Sequence, residues 1–511
     1  MKHVTYHYDK YFELGEIDPN VYSSFIEHLG RSVYTGIYQP GHFAADEAGF
    51  RNDVMDLVKE LNISLVRYPG GNFVSNYDWK DGIGPKEKRP QRMEFAWSSI
   101  ETNQFGIDDF YRWAIKTGVE PMIAVNLGTG TAKSAGELVE YCNHEKGTYW
   151  SDLRRENGSQ SPYKIKYWCL GNEMECSWQA GHLSAEDYAK KACEAAKLMK
   201  WVDPEIKLIV CGSSYEMMPQ YLEWDRVVLK ALYPYVDYVS THNYNMNAGQ
   251  GTSNFLASYK QLDEHIKNTE KAIDYVEAKE KEKGKIKICL DEWNVWNFQD
   301  IKVDNIEDLL GKTSFEITSA KKWEIAPGIL EEKYDLLDAL TVGGLAITIL
   351  KHCDRVKIAC LAQLVNVIAP ITTQKDGGVL KQTTYYPFQM ISKYGRGTVL
   401  QPVIEGDTYL CDFGELPLVE AAAVYNKETN QIRIFALNCS QAEDTVFSLT
   451  VTGFGQCKLI KHFVLKGDDL KIRNTFEKPD NVIIEEMHIS DTKETVQLPK
   501  MSWNVLILEA E

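Results

Sequence analysis

A (β/α)8 barrel of the TIM type carrying a C-terminal all-β sandwich is the fold this sequence predicts, on three observations. Eight short apolar runs alternate with longer segments of helical period between about residue 20 and residue 370, the rhythm of a parallel sheet with crossover helices. Two of those runs lead into carboxylates, Glu173 and Glu292, and barrel strands deliver chemistry at their C-terminal ends. From about residue 386 onward the helical period is replaced by alternating strands separated by turn residues. A chain of 511 residues with 44% hydrophobic content can bury one barrel-sized core and a smaller companion.

The elements follow in order. His3–Leu14 is strand-like and precedes the first barrel strand, so it is expected to join the C-terminal sheet. The predicted division is therefore 18–385 for the barrel, and 1–17 with 386–511 for a jelly-roll-like sandwich. The barrel strands are expected at Ser24–His28, Leu65–Tyr68, Pro121–Leu127, Lys166–Gly171, Lys207–Gly212, Val236–His242, Lys287–Glu292 and Ile358–Val365. Between them Phe50–Leu61, Asp108–Thr117, Ala135–Asn143, Ser184–Val202 and Gln261–Lys283 repeat apolar residues at helical spacing. Ser184 with Glu186 and Asp187 behind it forms an N-cap with acids in the first turn. Charged Glu277–Lys287 reads as a solvated helix end and loop, and Asn297–Ile325 as a long loop that covers substrate or meets another subunit. In the second domain, Leu418–Tyr425 and Ile432–Leu437 flank a turn at Asn426–Asn430 and predict a hairpin. Further strands are expected at Thr445–Val451, Lys458–Leu465, Val482–Ile489 and Trp503–Leu508.

Composition narrows the partners. A net charge of −17 repels a polyphosphate or an anionic membrane surface, which excludes nucleic acid and favours a neutral ligand such as a sugar. The first residues lack an apolar leader and no run approaches about 20 apolar residues, so a cytoplasmic protein is expected. Eleven cysteines are an odd number, several sit inside apolar strand-like runs, and no CxxC or HExxH occurs. Free thiols are expected, with neither a disulfide framework nor structural zinc.

The candidate chemistry lies in Tyr167-Trp-Cys-Leu-Gly-Asn-Glu173 and Ile288-Cys-Leu-Asp-Glu-Trp-Asn294. A single glutamate is usually a solvated strand end, but two acids at one barrel mouth can divide the work of breaking a glycosidic bond. One donates a proton to the leaving oxygen and the other attacks the anomeric carbon, so no metal or organic cofactor is required. Asn172 places an amide beside Glu173, and Asp291 reads as a structural acid. Trp97, Trp178 and Trp296 flank these segments, and Trp97 and Trp296 are candidate walls for a sugar ring. His242 is a candidate for the mouth, whereas His28 and His182 read equally well as core residues.

Six segments carry a resemblance to a known family: Ser24-Phe-Ile-Glu-His-Leu-Gly30, Arg67-Tyr-Pro-Gly-Gly-Asn-Phe-Val74, Trp79-Lys-Asp-Gly-Ile-Gly-Pro85, Trp168-Cys-Leu-Gly-Asn-Glu-Met174, Asp291-Glu-Trp-Asn-Val-Trp296 and Leu361-Ala-Gln-Leu-Val-Asn-Val-Ile-Ala-Pro370. Over nearly its whole length the chain resembles the retaining α-L-arabinofuranosidases of glycoside hydrolase family 51. The resemblance implies that Glu173 is the general acid/base and Glu292 the nucleophile. It implies that Glu27, Asn72, Asn172 and Gln363 hold the furanose hydroxyls while Tyr244 orients the nucleophile. Each of these has a plainer alternative: Glu27 paired with Arg67, Asn72 serving the Gly70-Gly71 turn, Tyr244 packing, and Gln363 satisfying backbone groups. The implied activity is release of terminal α-L-arabinofuranosyl groups from arabinose-containing oligosaccharides by a homo-oligomer, hexameric in the family. Met174-Glu-Cys-Ser-Trp178 and Asn243-Tyr-Asn-Met-Asn247 depart from the family's common wording on the leaving-group side, which leaves the linkage open. The alternatives are a retaining β-xylosidase or endo-β-glucanase on the same barrel, and a non-catalytic carbohydrate-binding protein.

Overall fold

The computed structural model describes residues 2–299, 323–489 and 495–510. Eight parallel strands close into a barrel: Ser23–Phe25, Leu65–Tyr68, Glu120–Ala124, Tyr167–Leu170, Lys207–Cys211, Tyr238–Asn245, Lys287–Val295 and Val356–Ala362. They are called strands one to eight here, and each pairs with its sequence neighbours, with strand eight returning to strand one. Side chains alternate as a strand dictates. In strand four Tyr167 and Cys169 fill the barrel interior with Phe25, Leu65, Met122, Ile209, Cys289 and Cys360, while Trp168 and Leu170 face the helical layer. Among the described residues none of the eleven cysteines is joined in a disulfide.

Strand one is shorter than expected, so Glu27 and His28 lie beyond its end, and strands six and seven run three residues further than expected. Ser184 caps the helix Ala185–Val202 by accepting from the Asp187 N–H at 3.2 Å. The segment Glu277–Lys287 is not simply solvated. Glu277 is buried and accepts from the Gly284 and Ile286 N–H groups, and Arg355 lies 3.5 Å away. Most of the predicted loop Asn297–Ile325 lies outside the described residues.

Among the described residues the second body is built on a nine-stranded sheet in the order Glu485–Glu486, Cys457–Leu465, Ser502–Ala510, Gln431–Asn438, Val419–Asn426, Thr398–Gly406, Lys2–Glu16, Thr445–Thr452 and Thr495–Leu498, with a small hairpin of Thr408–Cys411 and Gly414–Pro417 beside it. Lys2–Glu16 pairs antiparallel with Thr398–Gly406 and parallel with Thr445–Thr452, so the N-terminal strand does belong to this sheet. Phe447 and Leu449 share a core with Leu506 and Leu508 although four strands separate them, so the sheet curls over its own core as a sandwich. The expected strand Val482–Ile489 shrinks to Glu485–Glu486, because Val482 instead folds inward and exchanges backbone bonds with the Asn474 side chain.

Helix Leu336–Lys351 was not legible in the sequence. Every residue from Leu336 to Leu350 is buried, so it lacks the polar face that reveals an amphipathic helix. It lies between the barrel and the sheet: Gly343 packs on Trp503, and Gly344 packs on Leu437 and Tyr259. A Cβ at Gly343 would come 2.4 Å from Trp503 Cδ1, whereas one at Gly378 meets nothing within 4 Å. Gly343→Ala is therefore expected to lower stability by about 1–3 kcal/mol through overpacking. Gly378→Ala should stay within about 0.5 kcal/mol. Urea denaturation of both variants checks this, and equal stabilities would remove the close-packed interface from the account.

Candidate active site

The sequence-predicted residues converge at the C-terminal mouth of the barrel. Asn172 and Glu173 follow strand four through a turn in which Gly171 and Glu173 both take left-handed backbone angles, φ +93° and +43°. A glutamate held in that region is strained, a cost met mainly at functional sites. Glu292 lies within strand seven, where a bulge re-aims it. Cys289 pairs with Ser240 and Glu292 with His242, so strand seven holds one residue more than its neighbour across that interval. The extra residue lets the adjacent acids Asp291 and Glu292 both face the interior, which ordinary alternation forbids.

Glu292 accepts from Arg67 Nη1 at 2.6 Å through one oxygen and from the Tyr244 hydroxyl at 2.8 Å through the other. Glu173 accepts from the Tyr215 hydroxyl at 2.8 Å and from the Trp178 indole N–H at 2.7 Å. Between the acids stands His242, its Nδ1 2.9 Å from Glu173 and 3.7 Å from Glu292, its Nε2 3.4 Å from Asp291. Asp291 also meets Arg67 at 3.3 Å and accepts from Ser240.

The remaining residues have these partners, and Gln363 does satisfy a backbone group, accepting from the Glu27 N–H at 3.2 Å. Glu27 does not pair with Arg67. It accepts from the Phe73 N–H at 2.9 Å and the Trp97 indole at 3.0 Å, and Gln363 donates to its other oxygen at 3.1 Å. Asn72 accepts from the side chain of Gln179, which also reaches Ser75. Asn172 accepts from Arg67 at 2.6 Å, and its buried Nδ2 meets no hydrogen-bond acceptor among the described residues. Trp296 stacks on Phe298 at 4.0 Å and meets the Tyr244 ring edge-on. His28 is held by Glu101 and Tyr68, a core role.

From the sequence, Arg67 is offered to Glu27, the wrong acid, and Tyr215 and Gln179, which meet Glu173, are passed over, because nothing in their spacing tells which acid they reach. Burial pushes both glutamates upward. On Glu292 it prevails over the pull of His242 and Arg67, so the carboxyl lies above its usual range. On Glu173 the hydrogen bond and charge of His242, then Trp178 and Tyr215, prevail and hold it lower. Burial lowers His242, but Glu292, Asp291 and Glu173 outweigh it and push the imidazole up to about 10. Burial raises Glu27 to about 8 against the pull of Phe73 and Trp97. Among the described residues, Glu173, His242 and Glu292 have metal-ligand spacing, their ligand atoms within 4.8 Å of one another.

A parallel barrel with two buried, hydrogen-bonded carboxylates facing each other at its C-terminal mouth defines the glycosidase class of site. Comparison with known proteins places the chain within that class. Residues 57–265 match the α-L-arabinofuranosidase 1 domain and residues 291–502 the α-L-arabinofuranosidase C-terminal domain. An intracellular exo-α-(1→5)-L-arabinofuranosidase 1 of Bacillus subtilis is 47% identical, covering 98% of each chain. An exo-α-(1→6)-L-arabinofuranosidase of Bifidobacterium longum is 42% identical over 98% of this chain and 96% of its own. A solved family 51 α-L-arabinofuranosidase from Bifidobacterium longum superposes with a TM-score of 0.92 at 38% identity, with both chains fully covered. The chain belongs to the α-L-arabinofuranosidases of glycoside hydrolase family 51.

Asp291 carries a prediction. Burial raises its carboxyl, but Arg67 and His242 outweigh burial and hold it below the usual range. Its stabilising contribution is therefore present above the unfolded value of about 3.9 and is lost as pH falls through the lower folded value. Asp291→Asn is expected to cost about 3 kcal/mol at neutral pH, as removal of one partner from a buried ion pair does. The gap to the parent should shrink steadily below about pH 4. Urea denaturation at pH 7 and pH 3.5 reads it, and a gap independent of pH would contradict the ion pair.

Proposed function

We propose that Glu292 is the nucleophile and Glu173 the general acid/base of a retaining, exo-acting α-L-arabinofuranosidase. The observation that carries the reading is the approach of the two carboxylates, with an oxygen of each within 4.8 Å. Retaining glycosidases hold their acids about 5–5.5 Å apart, whereas inverting ones need about 6.5–9.5 Å to admit a water. Glu27, Asn72, Asn172 and Gln363 then bind the furanose hydroxyls, Tyr244 orients Glu292, and Trp97 and Trp296 wall the mouth.

In the first step Glu292 must be ionised and Glu173 protonated. Arg67 cannot give up its proton and so favours the carboxylate form of Glu292. A proton passing from His242 Nδ1 to Glu173 across 2.9 Å leaves the charge of the site unchanged and produces the required arrangement. Glu292 attacks the anomeric carbon through an oxocarbenium-like transition state while Glu173 protonates the leaving oxygen. Glu173 has by then given its proton to the leaving group, and because esterification removes the negative charge of Glu292 beside it, Glu173 stays ionised and ready to act as base. Glu173 then takes a proton from water, which opens the glycosyl-enzyme with net retention.

Intracellular placement follows the names of the relatives, and the barrel comprises 18–385 with the rest as the β domain. The exposed Tyr11 and Phe12 of the N-terminal strand support a homo-oligomer, hexameric by family resemblance.

Proton NMR of the first-formed sugar is expected to show the anomer of the substrate. In a panel including α-(1→5) and α-(1→6) arabinosides, terminal α-L-arabinofuranosides should have the largest kcat/KM. An inverted anomer would sink the mechanism, and a larger kcat/KM for β-xylosides or internal β-glucan bonds would sink the substrate assignment. Glu173→Ala should cost oligosaccharides about 10²–10⁴-fold in glycosylation, while aryl substrates whose phenolate leaves unprotonated lose far less. Stopped-flow glycosylation rates separate the two. Equal losses would take Glu173 out of the acid role.

A further inference from the structure

We infer that Glu173, His242 and Glu292 form a binding site for a first-row transition-metal dication, typified by Zn²⁺, and that the ion and the sugar exclude each other. The ligand set is one imidazole and two carboxylates, the nitrogen and oxygen donors that zinc takes. Four-coordinate zinc with bonds of about 2.0–2.2 Å separates its ligand atoms by about 3.3 Å. Here Nδ1 of His242 stands 2.9 Å from Glu173 and 3.7 Å from Glu292, and all three ligand atoms lie within 4.8 Å. The widest gap must close by up to about 1.5 Å, a movement the glutamate side chains can share, and a fourth position is left for water.

The surroundings are those of a metal-bound histidine. Such a residue donates its other ring N–H to a carboxylate, which fixes the tautomer. Nε2 of His242 faces Asp291 at 3.4 Å, and Asp291 is anchored by Ser240 and Arg67. The ligating carboxylates are themselves hydrogen-bonded, Glu173 by Tyr215 and Trp178, Glu292 by Tyr244 and Arg67. Charge also balances. Zn²⁺ and Arg67 together offset the three carboxylates of Glu173, Glu292 and Asp291 when His242 is neutral, so no net charge is left buried. Mg²⁺ demands octahedral oxygen coordination and keeps its waters, so it should not compete.

The ion site rests on ligand geometry and its exclusion of sugar rests on the proposed function; calorimetry reads the first without turnover, so its failure is distinguishable from failure of the retaining mechanism. The experiment titrates ZnCl₂ into the full chain after alkylating accessible thiols, because Cys193, Cys411 and Cys457 are partly exposed alternatives. About one equivalent should bind, arabinose should weaken it, and inhibition of an aryl arabinofuranoside should be competitive. His242→Gln should weaken Zn²⁺ at least about tenfold, the lower bound for losing even an outer partner of a metal ligand. Co²⁺ should give visible four-coordinate bands that vanish in that variant. Circular dichroism checks the fold, and Glu173→Gln substitutes if His242→Gln does not fold. Zn²⁺ affinity unchanged by both variants, noncompetitive inhibition, or equal inhibition by Mg²⁺ would overturn the site.

Discussion

The guanidinium of Arg67 is the charge around which the barrel mouth is arranged. It is about 1% exposed, reaches Glu292 and Asn172 at 2.6 Å and Asp291 at 3.3 Å, and lies over the Phe25 ring at 4.7 Å. Taking an arginine out of water costs several kcal/mol, and the group cannot neutralise itself, so its neighbours must supply the opposite charge and the acceptors. One side chain on strand two thereby ties the ends of strands four and seven together. It also takes up the side-chain oxygen of Asn172.

His242 completes the charge balance. It sits among Glu173, Asp291 and Glu292, and those acids account for an imidazole pushed far above its ordinary range despite burial. Arg67, Tyr244, Tyr215 and Trp178 hold their protons, whereas the proton of His242 can move to Glu173 without changing the total charge. The glutamates therefore titrate as a unit with the histidine rather than as independent acids. The same three side chains have the donor chemistry of a zinc site, so a centre suited to proton exchange is also suited to metal capture.

The mouth keeps its shape because of what lies beneath and beside it. The barrel interior is filled by Phe25, Leu65, Met122, Tyr167 and a set of cysteines, small enough to pack in layers and unpaired. Helix Leu336–Lys351 is enclosed between barrel and sheet, its N-terminus held by backbone bonds from Leu336 to Ile472 and from Leu337 to Leu470. Asp335 caps the helix and pairs with Lys471 at 3.1 Å, so the β domain fastens onto the barrel through the element that precedes strand eight. Gln363, on which Glu27 depends, lies just beyond that strand.

Much of this was readable from the residues. Alternating apolar runs marked eight strands and Ser184 marked a helix start, because these depend only on local period and capping. The paired acids marked the mouth for the same reason. Helix Leu336–Lys351 escaped because burial on every side removes the period that would announce it. The partners of Arg67 escaped because they come from strands far apart in sequence. The aim of Glu292 was decided by tertiary structure alone: simple alternation from Cys289 points Asp291 inward and Glu292 outward, and only the extra residue accommodated against strand six turns both acids toward His242.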